Sequence, residues 1–260
     1  MIKKSEEILQ GKILPVIELY TAIQGEGSLR GHPIIVVRTT GCPLRCYFNS
    51  SREWCDTWYS SIHPKKGIYT FRDIKRLRKD NSQIQELMLT GGSPTMHPNF
   101  LNQMCSFKKM EKLFLTLETE GSHFTETVEP IDLVSISPKF SNSIPIEGSF
   151  TPKGQIVNKR FVDQHNKHRL NIEAIKDLIS YHKNYQIKPV CDGSEENIEE
   201  IRDFIDRLKI PGEKVYLMPE GSSFEEMRKN YPKVLSIALK YGFRFTGRDH
   251  IVAFGNKALV

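Results

Sequence analysis

Six times along this 260-residue chain an apolar, β-rich run ends in a polar or glycine-rich tip, and that repetition limits the fold more than any other feature. The runs are IIVVRTTG (34–41), ELMLTGGSP (86–94), KLFLTLETEG (112–121), LVSISPK (133–139), YQIKPVCDG (185–193) and KVYLMPEG (214–221). Several are near-continuously apolar, which suits strands buried on both faces of a parallel sheet. Apolar residues at helical spacing lie between them, in FRDIKRLRKD (71–80), IEAIKDLISYH (172–182) and IEEIRDFIDRL (198–208), with a further helix over 223–241. Strands alternating with helices imply right-handed crossovers and a parallel sheet. The expected fold is α/β, an open, incomplete (β/α) barrel of about six parallel strands. Its chemistry should sit at the carboxyl ends of the strands, where the polar tips fall.

Residues 141–170 are polar and weakly periodic, and read as a surface insertion with room for a short helix. The length suits one domain over 1–260 with a sizeable core. No apolar run approaches ~20 residues, so no membrane span is expected. The opening MIKKSEEILQGK lacks the apolar core and cleavage site of an export signal, which makes the cytoplasm the expected compartment. Net charge is +6, yet the lysines are scattered with no block of five or six. That pattern fits a solvated surface, or a basic pocket for an anionic small molecule, better than a nucleic-acid partner.

Three of the five cysteines, Cys42, Cys46 and Cys55, fall within fourteen residues of one another, in a loop (42–57) after the first barrel-type strand. Thiolates are soft ligands that select iron–sulfur clusters, zinc or copper(I). Closed structural sites take four protein ligands. Three cysteines without an obvious fourth point to a cluster with one open iron, and the competing reading is a zinc site completed by His63. Cys105, within FLNQMCSF, reads as a core thiol, and Cys191 is assigned no role.

Other strand tips carry further candidates. TGGSP (90–94) has two glycines that let backbone approach a ligand closely. ETEG (118–121), SPK (137–139) and MPEG (218–221) end three later strands. Lys139 at such a tip can pair with a carboxylate. Upstream, QGEG sets Gln24 and Glu26 about a glycine, which offers donor, acceptor and pliable backbone to a heterocycle. Arg38, inside an apolar strand, requires an acidic partner, either Glu26 within the chain or a substrate carboxylate held bidentately.

Taken in order, QGEG, Arg38 with GC-x3-C, CDT, TGGxP, ET-x-G and SPK resemble the 7-carboxy-7-deazaguanine synthases of the radical SAM superfamily. The C-terminal GFRFTGRDHIVAFGN is similar to that family's last strand. The resemblance implies a radical lyase that converts 6-carboxytetrahydropterin to 7-carboxy-7-deazaguanine with release of ammonia, without a side-chain nucleophile. It implies a [4Fe–4S] cluster whose open iron takes the amino and carboxylate groups of S-adenosylmethionine (SAM), together with Mg²⁺, a homodimer and a flavodoxin- or ferredoxin-like electron donor. Motifs and resemblance together assign substrate contacts to Ile23, Gln24, Gly25, Glu26, Arg38, Thr90, His250 and Val260. They assign SAM contacts to Trp54, Asp56, Gly92, Ser93, Glu118, Ser137, Lys139, Met218, Pro219 and Glu220. Cys42, Cys46 and Cys55 hold the cluster and Thr57 the Mg²⁺. Three positions depart from the family pattern: the third cysteine is delayed, Ser93 replaces a glutamate, and Met218 stands where glutamine is common. The alternatives are another small radical SAM enzyme, such as a glycyl-radical activase, or a zinc-stabilised binding module.

Overall fold

In the computed structural model, which describes residues 11–255, the barrel begins with a strand absent from the sequence reading. β1 (Val16–Ile23) runs antiparallel to β2 (Pro33–Thr39), with Tyr20 opposite Val36. A small hairpin, β3 (Tyr47–Phe48) and β4 (Glu53–Trp54), follows, then the short α1 (Trp58–Ser61), α2 (Phe71–Asp80) and β5 (Glu86–Gly91). Next come α3 (Pro98–Glu111), β6 (Phe114–Thr119), β7 (Leu133–Ile136), α4 (Lys159–His168) and α5 (Ile172–Tyr181). The chain continues through β8 (Tyr185–Ile187), β9 (Val190–Cys191), α6 (Glu195–Leu208), β10 (Tyr216–Pro219), α7 (Phe224–Tyr241), β11 (Arg244–Phe245) and α8 (Asp249–Phe254).

The main sheet has the order β1-β2-β5-β6-β7-β8, parallel from β2 onward. A parallel set, β11-β10-β9, continues it through a bridge between Ile187 and Val215. The run YQIKPVCDG, expected as one strand, breaks between β8 and β9 at Lys188–Pro189, where proline has no N–H for the ladder. The result is an open barrel, as expected. Strand residues alternate between two buried faces. Ile35, Val37, Leu87, Leu89, Leu115 and Leu117 join the core beneath the helices, through Ile74, Phe100, Met104, Ile175, Ile201 and Val234. The intervening Ile34, Val36, Arg38, Met88, Thr90 and Glu118 face a central cavity. Both faces are buried, so the apolar runs hide this period of two.

The helices start where their capping residues stand. Thr70 and Asp73 form a reciprocal capping box on α2, Ser223 and Glu226 do so on α7, and Ser194 accepts from the Asn197 backbone N–H on α6. The C-terminal GFRFTGRDHIVAF yields only the two-residue β11 before turning into α8, with Asp249 in its first turn. Val260 and residues 1–10 lie outside the described residues. No helix of the described residues is long and apolar enough to cross a membrane.

Residues 141–170, read as a polar surface insertion with room for a short helix, lie against the cysteine loop. They form a 3₁₀ turn, a bridge between Phe150 and Ile156, and α4. Asn49 N–H bonds to Asn142 O (3.1 Å), Trp54 Nε1–H to Phe150 O (2.9 Å), and Gln164 Nε2–H to Pro43 O (3.2 Å). Arg45 N–H donates to Nδ1 of the fully buried His165 (3.1 Å). These are polar contacts to backbone, which hydrophobic periodicity does not report.

Candidate active site

The parallel strands open at their carboxyl ends onto a cavity of about 290 Å³. The cysteine loop forms one wall. The spacer between Cys46 and Cys55 folds as the β3–β4 hairpin, with Arg52 in the left-handed region at its turn. This returns Cys55 N–H to Cys46 O (3.0 Å). Cys42, Cys46 and Cys55 all line the cavity. Burial pushes all three thiols up, and each of Cys42 and Cys46 also feels the charge of neighbouring cysteines. Metal ligation deprotonates thiols of this kind. His63 does not complete a zinc site, because its Nε2 pairs with Thr151 Oγ1 (3.0 Å). Among the described residues no three His, Cys, Asp or Glu side chains converge on a single ion, as a mononuclear zinc site demands. A cluster instead takes each thiolate at a different iron, so separate thiols around one cavity fit it.

The β5 tip is clamped against this loop. Ser93 N–H bonds to Gly41 O (2.7 Å), and a Cβ at Gly92 would lie 2.1 Å from that same oxygen. Only glycine fits there. Ser93 itself is fully buried and set back from the cavity lining. Its hydroxyl instead donates to Glu120 Oε1 (2.7 Å).

Opposite the loop lies a buried chain of alternating charge. Lys188 Nζ pairs with Glu26 Oε2 (2.5 Å) and Glu118 Oε2 (2.8 Å). Arg248 pairs through Nε with Glu26 Oε1 (2.9 Å) and through Nη2 with Asp56. Burial alone would raise the Glu26 carboxyl, yet Lys188 and Arg248 hold it well below the usual range. Asp56 is likewise held down, against burial, by Arg248. His250 lies 3.8 Å from Glu26, and burial lowers its imidazole. The Arg38 partner is Glu18 on β1 (Nε–Oε2 2.5 Å), not Glu26, because Glu26 is occupied by Lys188 and Arg248. Gln24 spends its Oε1 on the Glu26 N–H (3.1 Å), while its amide N–H reaches only the Met88 sulfur (3.1 Å), a weak acceptor.

Of the remaining candidates, Ile23, Gly25, Thr90, Trp54, Ser137, Lys139, Met218, Pro219, Glu220 and Thr57 all line the same cavity. Lys139 Nζ donates to Ser137 O and Oγ (both 2.7 Å). Thr57 begins α1 without a side-chain cap, and its hydroxyl lies 3.4 Å from Cys55 Sγ. Glu118 Oε1, Glu120 Oε2 and Glu220 Oε2 are buried acceptors without a donor, which fits a cofactor rich in hydroxyl and amino groups. Sequence reasoning missed Glu18, Glu120, Lys188 and Arg248. Lys188 carried the same signal that marked Arg38, a cation inside an apolar run.

The sequence matches the radical SAM superfamily over residues 36–208. It is 31% identical over 251 residues to the 7-carboxy-7-deazaguanine synthase of Halobacterium salinarum, covering 95% of this chain and 92% of that protein. It is 32% identical over 247 residues to that of Rhodopirellula baltica, covering 94% and 88%. The chain belongs to the 7-carboxy-7-deazaguanine synthase family of radical SAM enzymes. Membership brings a [4Fe–4S] cluster, SAM and Mg²⁺ as cofactors. The fold is shared with the crystal structure of QueE from Escherichia coli, at a TM-score of 0.60 and 19% identity over 93% of this chain and 96% of that one.

Proposed function

We propose that this chain is a carbon–nitrogen lyase that converts 6-carboxytetrahydropterin to 7-carboxy-7-deazaguanine with release of ammonia. The observation that carries this reading is one cavity lined by both the three-cysteine loop and the Gln24–Glu26–Arg38–His250 group. Cys42, Cys46 and Cys55 hold the cluster. Glu118, Ser137, Lys139, Met218, Pro219 and Glu220 receive SAM, with Lys139 at its carboxylate and Trp54, Asp56 and Gly92 closing the walls. The bound cluster and SAM together supply hydrogen-atom abstraction from the substrate.

The chain's own residues bind and orient. Gln24 and the backbone of Gly25 meet the amide and amine edge of the pterin. Arg38 turns its guanidinium to the substrate carboxylate while Glu18 and Tyr20 fix its plane. Thr90 and Ile23 complete the substrate wall. Thr57 offers a hard oxygen to Mg²⁺, which keeps most of its remaining ligands from water and substrate. The enzyme works as a single-domain subunit of a homodimer in the cytoplasm, with electrons from a flavodoxin- or ferredoxin-like protein. Five free cysteines suit such a reducing compartment.

The test is anaerobic incubation of the reconstituted enzyme with 6-carboxytetrahydropterin, SAM, Mg²⁺ and a reductant, with products identified by mass. The expected products are 7-carboxy-7-deazaguanine and ammonia, lost in Cys42→Ala, Cys46→Ala and Cys55→Ala and retained in Cys105→Ala. SAM cleavage with the pterin returned intact would sink the reading.

A further inference from the structure

We propose that Glu120 holds the α-amino group of SAM, a role carried by the third residue of ETEG rather than by the TGGSP loop. Glu120 is 6% exposed, and its two carboxylate oxygens differ. Oε1 is fixed by the hydroxyls of Ser93 (2.7 Å) and Ser122. Oε2 has no donor at all. Glu120 lines the cavity next to the cluster cysteines, and its charge reaches both Cys42 and Cys46.

A buried carboxylate needs a cation or donors at both oxygens; the two serines serve Oε1, and among the described residues nothing serves Oε2. Among the described residues Glu120 has no ion pair. Of the arginines and lysines that line the cavity, Arg38 pairs with Glu18, Lys188 with Glu26 and Glu118, and Arg248 with Glu26 and Asp56, while Lys139 donates to Ser137 and is assigned above to the SAM carboxylate. The donor must therefore arrive with the ligand. SAM offers three kinds of N–H or O–H donor: the α-amino group, the ribose hydroxyls and the adenine amine. Position decides among them. Glu120 is tied through Ser93 to the start of the cysteine loop, because Ser93 N–H bonds to the oxygen of Gly41, directly before Cys42 (2.7 Å), whereas Glu220, the other carboxylate among the described residues with a free oxygen and no ion pair, follows β10 and accepts the Ser51 N–H of the hairpin spacer (2.7 Å). The two serines then have a purpose. They spend Oε1 and leave Oε2 aimed at the ligand.

The inference rests on the cluster and SAM occupying this cavity. The experiment compares dissociation constants of SAM and of desamino-SAM, which lacks only the α-amino group, by equilibrium dialysis on cluster-reconstituted protein. Iron content confirms equal cluster loading. Glu120→Gln should weaken SAM roughly ten- to a hundred-fold, the range for a hydrogen bond to a charged group, and leave desamino-SAM within about twofold. Should Glu120→Gln fail to keep its cluster, Ser93→Ala frees the same carboxylate without removing it, and should show a smaller loss confined to SAM. Equal losses for both ligands, or no loss for either, overturn the proposal while the wild type still binds SAM. A cluster-loaded wild type that takes up no SAM overturns the cofactor reading itself and the inference with it.

Discussion

Lys188 is 3% exposed at its side chain and stands between two carboxylates, Glu26 and Glu118. Burial alone would lower its pKa, but the two anions more than reverse that and keep it charged. Removing one member of such a buried group costs about 3–5 kcal/mol, because the remaining charges lose their partner. Lys188→Met should therefore lower the urea midpoint by a corresponding amount at constant denaturant slope. Adding Glu118→Gln should restore part of the loss by removing one stranded charge; a double variant less stable than the single one would refute this account. At this scale the sequence was informative but incomplete. Arg38 stood out as a cation within IIVVRTTG, and its need for an acid was correct. The identity of the acid was not legible, because Glu18 lies on an antiparallel strand whose mixed pattern, VIELYTAI, signals neither its pairing nor its register. The same holds for Glu120, whose importance comes from a serine 27 residues away.

Gly25 shows how elements meet. A Cβ there would lie 2.5 Å from His250 Nδ1 and 3.1 Å from the backbone nitrogens of Asp249 and His250. The start of α8 thus packs directly on the turn after β1. Gly25→Ala should push α8 outward and displace His250, raising the substrate KM about tenfold or more, since small misplacements of positioning groups are costly. SAM affinity, measured by equilibrium dialysis, should change less than twofold, and equal losses would mean general damage. A second junction involves His182, the C-terminal cap of α5, whose Nδ1 accepts the Ile131 N–H (3.1 Å). Burial, with help from Lys108, brings its pKa down from 6.5 to about 4. The unfolded chain gains this proton as pH falls through 6.5, and the folded chain does not until about 4. Its contribution is therefore whole above pH 6.5 and is lost between those values, by at most about 3 kcal/mol. His182→Gln should flatten the fall of melting temperature over that range, and an unchanged slope would exclude His182 as its source. Helices with apolar stripes were readable from sequence. The docking of 141–170 was not, because each of its bonds to the cysteine loop has a backbone group on at least one side, and such groups leave no residue pattern in the sequence.

An open barrel has two ends that must be held together without strand pairing. Here β1 lies at one end of the sheet and β11 at the other. The segments that follow them interlock across the mouth. Gly27 N–H donates to Thr246 Oγ1 (2.7 Å) and Asp249 N–H to Gly25 O (3.2 Å), while Ser28 N–H donates to Gln186 Oε1 on β8 (2.8 Å). Two arginines reinforce the closure through ion pairs, and they differ in burial. Arg30–Asp249 (2.5 Å) is half-exposed, at 49% and 40%, and such pairs contribute under about 1 kcal/mol. Arg248 is 14% exposed and joins Glu26 to Asp56, so it couples the turn after β1 to the cysteine loop. The alternating strands and helices announced the barrel, but which polar groups close its gap depends on contacts more than two hundred residues apart. Arg248→Ala leaves Glu26 with Lys188 alone and Asp56 without its cation, at a cost of about 3–5 kcal/mol. It should also release the mouth locally. Hydrogen exchange of the 24–30 amides and of α8 should accelerate more than that of β5 and β6, whose ladders do not pass through Arg248. Arg30→Ala should change global stability by less than about 1 kcal/mol and leave the 24–30 amides close to wild type. If Arg30→Ala loosens the mouth as much as Arg248→Ala does, the closure is a surface clasp and not an extension of the buried charge chain.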